Sequence, residues 1–161
     1  MISSPIPILC FHLGAHDYVQ QVMKQAREWN PNSPIHLITE QPAVRFPNIT
    51  VTPVVPFSKS AIEFQNHYKH MSSNAYDTEL MCLQRWLVFS EVLKEYRYPR
   101  CFIMDSDVLL YCNISKEHEK YKDYKFTLTH QMSPGECFFD AEIVHEFASI
   151  IDNAYRHKND Y

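Results

Sequence analysis

Glycine is almost missing from this chain. Its 161 residues contain two, Gly14 and Gly135, where average usage gives roughly 11. A Walker loop and a Rossmann dinucleotide turn both need clustered glycines, so that backbone N–H groups can approach phosphate closely. Two isolated glycines exclude both, and a bound nucleotide would need another way to neutralise its phosphates. A surplus of positive charge is missing too. The net charge is −4 and the isoelectric point near 6.1, which argues against a nucleic-acid partner. No apolar run reaches the roughly 18 residues of a membrane span. The start, Met1-Ile-Ser-Ser-Pro-Ile-Pro-Ile, lacks the charged and apolar regions of a signal peptide. Five cysteines, at 10, 82, 101, 112 and 137, form no Cys-x-x-Cys pair. They are expected to be reduced, Cys10, Cys101 and Cys112 as core residues, in a cytoplasmic protein.

What is present is a globular composition, 45% hydrophobic and 21% charged, at a length that suits a single domain spanning 1–161. Residues 7–13 (PILCFHL) read as a strand. Asp17 with Gln20 suggests a capping box, and Tyr18, Val22, Ala26 and Trp29 share one helical face. Asn30-Pro31-Asn32-Ser33-Pro34 ends that helix. Residues 35–39 (IHLIT) and 49–55 (ITVTPVV) read as two more strands, with Pro53 marking an edge or a strand end. A helix is expected within 60–70. Thr78 is expected to cap a long, nearly all-round apolar helix to Tyr96, which reads as buried. Residues 101–104 (CFIM) make a fourth strand, 116–125 a solvated linker, and 126–130 (FTLTH) a further strand. Ser133-Pro134-Gly135 turns the chain into a last helix over 140–157. The expected class is α/β, with a mostly parallel sheet flanked by helices.

The most specific feature is CFIMDSDVLLY. In open α/β sheets the ligand lies at the carboxyl ends of the strands, and here Asp105 and Asp107 stand where an apolar strand ends. A bend at Ser106 lets both carboxylates converge on one cation, and hard anionic oxygens suit Mg²⁺ or Mn²⁺. Such an ion grips a diphosphate, which supplies the neutralisation that the missing glycines do not. Arg85, on a mostly apolar helix, asks for an anionic partner. His12, His16 and His36 show no ligand spacing and receive no role.

These features resemble the GT-A glycosyltransferases, the nucleotide-sugar-dependent family with a DxD motif, and most closely bacterial members. Three stretches carry the resemblance: the opening strand and helix (PILCFHLGAHDYVQQVMKQAREWNPNSPIHLITE), the arginine-bearing helix MCLQRWLVFSEVLKEY and the strand CFIMDSDVLLY. The resemblance implies a GT-A-like, Rossmann-like fold and transfer of a sugar from a nucleotide-sugar to the hydroxyl of a sugar, glycan or lipid acceptor, with Mn²⁺ or Mg²⁺. Leu13 and Gly14 would lie under the nucleoside, and Thr39 and Glu40 beside the base or ribose. Asp105, Ser106 and Arg85 would contact the donor, and Asp105 and Asp107 the metal. His130, Glu136 and Asp140 fall where the donor sugar and acceptor approach. Glu136 and Asp140 are the carboxylate bases to consider, Asp140 being equally suited to cap the last helix. Against that family the chain is short, so an abbreviated acceptor half is expected. Two alternatives stay open: a domain that binds a nucleotide-sugar without turnover, and a phosphatase of the haloacid-dehalogenase type with Asp105 as nucleophile.

Overall fold

A computed structural model describes residues 5–41, 45–129 and 135–156. The chain packs into two compact units. The first comprises Met1–Pro53 and Arg100–Asp140, the second Val54–Pro99 and Ala141–Tyr161.

The first unit is a five-stranded sheet. Its strands are β1 (Ile8–His12), β2 (Ile35–Thr39), β3 (Thr50–Pro53), β4 (Arg100–Met104) and β5 (Glu136–Asp140), in the spatial order β3-β2-β1-β4-β5. β1 pairs in parallel with both β2 and β4, and β2 with β3; only β5 runs antiparallel. The expected α/β class with a mostly parallel sheet is therefore what the chain adopts. β1, β2 and β4 are near-continuous apolar runs, as strands buried on both faces must be. Helix α1 (Tyr18–Trp29) lays Val19, Val22, Met23 and Ala26 against Ile8, Cys10, Ile35, Leu37, Phe102 and Met104. Each such Val or Met withdrawn from water contributes about 1.5–3 kcal/mol. Pro53 closes β3 on the sheet's edge, where a residue with no N–H costs no ladder bond.

The second unit is helical: α2 (Lys59–Gln65), α3 (Tyr76–Tyr96) and α5 (Ala141–Arg156), with α3 packed on α2 and on α5. A short α4 (Ile114–His118) belongs to the first unit. α3 buries Leu80, Trp86, Leu87, Val88, Phe89, Val92 and Leu93, as its all-round apolar sequence requires. The cysteines are free thiols. Cys10 and Cys101 are buried, Cys112 is half-exposed at the margin of the core, and Cys137 is also buried.

Several local expectations are corrected. Asp17 makes no side-chain cap bond, and α3 starts two residues before Thr78, with Asp77 and Glu79 in its first turn. The presumed linker begins inside α4, capped by Asn113, whose side chain accepts from the Lys116 N–H at 3.0 Å. Of the strand expected at 126–130, the described part makes one isolated bridge, Phe126 to Phe139. The real last strand, β5, is Glu-Cys-Phe-Phe-Asp, read from sequence as the approach to a helix. Its centre, Cys137–Phe139, is buried, so tertiary pairing with β4 decides its conformation.

Candidate functional site

The chain leaves β1 for β2 and β3 on one side and returns as β4 on the other. The strand order thus reverses between β1 and β4, and in open α/β sheets the carboxyl ends at such a reversal are where ligands bind. Four segments form that edge: 12–17 after β1, 39–41 after β2, 105–109 after β4 and 135–136 leading into β5. Together they carry Asp17, Glu40, Asp105, Asp107 and Glu136 and not one lysine or arginine.

Side chains tie these segments together. His12, the last residue of β1, is 7% exposed, and its Nδ1 lies 2.9 Å from Ser106 Oγ in the turn after β4. On its other side Nε2 lies 3.3 Å from Nδ1 of the exposed His16. The Gly14 N–H donates to Glu40 Oε1 at 3.0 Å, linking the ends of β1 and β2. Gly14 sits at φ 91°, where a side chain would be strained, and an added Cβ would come within 3.0 Å of His16. At least here the scarce glycine is placed by necessity. Thr39 is buried and accepts from the Gln41 N–H at 3.3 Å. The Asp105 N–H donates to the Gly135 carbonyl at 2.9 Å, so the turn is held toward β5 as well. Glu136 pairs with Met104 in the β4–β5 register, one residue before Asp105.

Two hollows adjoin this edge. One of about 110 Å³ is lined by His12, Gly14, His16, Thr39, Gln41 and Phe46 among others. Another of about 220 Å³ lies between Tyr18, Gln21 and Val22 of α1 and Asp107 and Leu109. Rings of His12, His16 and Tyr18 pack edge-on or tilted at 5.2–5.9 Å. Burial pushes the His12 pKa below the ordinary histidine value and the neighbouring His16 adds to this, against opposing pulls from the Gly14 backbone and Glu40. His12 is therefore predominantly neutral at pH 7. A hollow of about 300 Å³ in the second unit is lined by Ser60, Glu91, Ser90, His145, Asp152 and Arg156 among others. Those six are already bonded within the unit, Ser60 to Glu91, Ser90 to His145 at 2.8 Å and Asp152 to Arg156 at 2.6 Å, so the first unit's edge is the better candidate.

The sequence-derived residues divide accordingly. Leu13, Gly14, Thr39, Glu40, Asp105, Ser106, Asp107 and Glu136 share the carboxyl-end edge. Asp140 does not: it pairs with Arg100 at the opposite end of β4, four residue steps or roughly 13 Å from Met104. There its Oδ1 forms an ion pair with Arg100 Nε at 2.8 Å, without hydrogen-bond alignment. The electrostatic partner of Arg100 thus displaces the reading of Asp140 as a base. Arg85 belongs to α3 in the second unit, half-buried with its guanidinium carbon 5.8 Å from the centre of the Trp86 ring. His130 lies outside the described residues. The residue missed from sequence is His12. A histidine closing an otherwise apolar strand was the available signal.

Asp105 is half-buried and Asp107 exposed, both oxygen donors in segments without a competing ammonium or guanidinium. Among the described residues no three His, Cys, Asp or Glu side chains are placed to share an ion. Two carboxylates completed by water and phosphate oxygens suit Mg²⁺ and related ions, which seldom use an all-protein cage.

No family model matches this chain, and no curated protein matches it in sequence. Among solved structures it shares the fold of a glycosyltransferase. That structure is mouse xyloside xylosyltransferase 1 in its apo form, which it matches with a TM-score of 0.60 at 11% identity, over 96% of this chain and 74% of the other. At that identity the likeness establishes the fold alone. Among the described residues no helix is long and apolar enough to cross a membrane.

Proposed function

We propose that this protein is a glycosyltransferase that moves a sugar from a nucleotide-sugar to an acceptor hydroxyl with a divalent cation on Asp105 and Asp107. The observation that carries the reading is the acid-rich, lysine- and arginine-free edge at the strand-order reversal, in a chain with a glycosyltransferase-like fold. Asp105 and Asp107 would hold Mn²⁺ or Mg²⁺, whose chemistry is Lewis-acid stabilisation of the departing diphosphate. Gly14, Thr39 and Glu40 would meet the nucleoside, and Ser106 the donor. Glu136, in the register beside Asp105, would take the acceptor's proton.

The test is titration calorimetry of UDP, GDP, ADP and CDP and their sugar conjugates, with and without Mn²⁺, followed by a transfer assay. Nucleotide-linked xylose belongs in the screen because the structural neighbour is named a xyloside xylosyltransferase. Metal-dependent binding followed by sugar transfer is expected. No metal-dependent binding of any of these would overturn the reading. Binding without transfer would reduce it to a nucleotide-sugar-binding domain, and hydrolysis of a simple phosphate ester would replace it with a phosphatase.

A further inference from the structure

The parallel ladder between β1 and β4 runs Ile8 to Phe102, Leu9 to Ile103 and Cys10 to Met104, a constant offset of 94 residues. His12 and Ser106 are also 94 apart. Their side-chain hydrogen bond therefore stands where the second pair beyond the ladder's last one would be, two residues after β4 has left the sheet. Ser106 is the middle residue of the Asp105-Ser106-Asp107 turn. The turn is consequently pinned at two points, by the Asp105 N–H on the Gly135 carbonyl and by Ser106 on His12.

We propose that His12 is a positioning residue for the carboxylate pair. By holding Ser106 in the continued β1 register it fixes where the backbone bends, and so the directions in which Asp105 and Asp107 leave it. The proposal rests on the reading of those carboxylates as cation ligands. His12 touches neither the ion nor the donor and acts through Ser106. Partners of this kind behind metal-binding groups alter affinity by about 10- to 100-fold when removed.

The test uses Mn²⁺ alone, and Mn²⁺ with each of the four nucleoside diphosphates, followed by calorimetry and by the electron paramagnetic resonance signal of free Mn²⁺. His12→Phe and Ser106→Ala should each weaken Mn²⁺ binding about tenfold or more. The double variant should lose no more than either single, because both cut the same link. His12→Asn, whose amide N–H can replace Nδ1 toward Ser106, should retain most of the affinity. Thermal melts identify any variant that has failed to fold. If His12→Phe does not fold, Ser106→Ala decides. A folded His12→Phe or a Ser106→Ala with wild-type affinity, losses that simply add in the double, or a His12→Asn as weak as His12→Phe would overturn the proposal alone. A wild-type protein that binds no Mn²⁺ under any of these conditions would overturn it together with the carboxylate reading.

Discussion

The two ends of the sheet differ in how they treat charge. At the amino end, half-buried cations are held by partners. The Arg27 guanidinium donates to the carbonyls of Asn30, Pro31, Ser33 and Asn48, at 2.5–3.0 Å. Arg100 pairs with Asp140, sits against the His118 ring and donates to the Tyr124 carbonyl. Asn30, fully buried, donates to the carbonyls of Ala26 and Cys112 and accepts from the Ile114 N–H at 2.7 Å. At the carboxyl end, five carboxylates gather in segments with no lysine or arginine. One end answers its charges internally. The other gathers negative charge at a topological reversal, which is what a site that receives a cation and a phosphate requires. The difference separates residues that hold the sheet from residues that the proposed function assigns to a ligand, although both kinds are polar.

The sharpest way to break this comparison is Asp107→Asn. It should lower Mn²⁺-dependent nucleotide affinity by about 100-fold, since one of two ionic ligands is lost, with little change in the thermal midpoint. Asn30→Ala should do the reverse. It strands the Cys112 carbonyl and Ile114 N–H and should cost about 3 kcal/mol in urea unfolding, leaving Mn²⁺ affinity unaltered wherever the protein is folded. A large binding loss in Asn30→Ala would collapse the distinction between the ends.

The next test concerns proton linkage in β2. His36 is 1% exposed and bonds Thr52 Oγ1 at 3.0 Å. Burial pushes its pKa from the ordinary 6.5 to about 4. The unfolded chain therefore takes up the proton first as pH falls. The stabilisation is complete above pH 6.5 and declines as pH falls toward 4, by about 3 kcal/mol in all. His12, His118 and His145 are lowered in the same direction by burial, so the diagnostic quantity is the difference between wild type and His36→Asn. That variant should be less stable at pH 7 and show a flatter acid limb in urea titrations. The smallest effect is expected from Asp140→Asn. Loss of a partly exposed ion pair should cost about 1 kcal/mol or less and leave sugar transfer intact, whereas Glu136→Gln should reduce transfer.

Legibility in the sequence followed burial. β1, β2 and β4 were readable because strands covered on both faces are unbroken apolar runs, and α1 because Val22 and Ala26 fall on one face with Tyr18 and Trp29. β5 was not readable, because five residues between a turn and a helix carry no period of their own and their pairing with β4 is long-range. Asp105 and Asp107 stood out in the sequence because carboxylates after an apolar strand are costly without a purpose, and their role as cation ligands is a proposal. Asp140 was readable from sequence either as a base or as a helix cap, and only the antiparallel direction of β5 sends it to the far end of β4. His12 was hidden for a related reason. Nothing local shows that a histidine will meet a serine 94 residues later.

That separation also dictates an order of assembly. α1, β2 and β3 can gather around β1 from contiguous sequence, whereas the β1–β4 pair closes a loop that includes the whole 54–99 segment of the second unit. Contacts of such long range form slowly, because the chain entropy of closure precedes any reward. During synthesis the His12–Ser106 link cannot form until residue 106 has emerged. Until then the β1 edge that will receive β4 has its backbone hydrogen-bonding groups unpaired, and this interval is when the nascent chain is most exposed to mispairing with another strand.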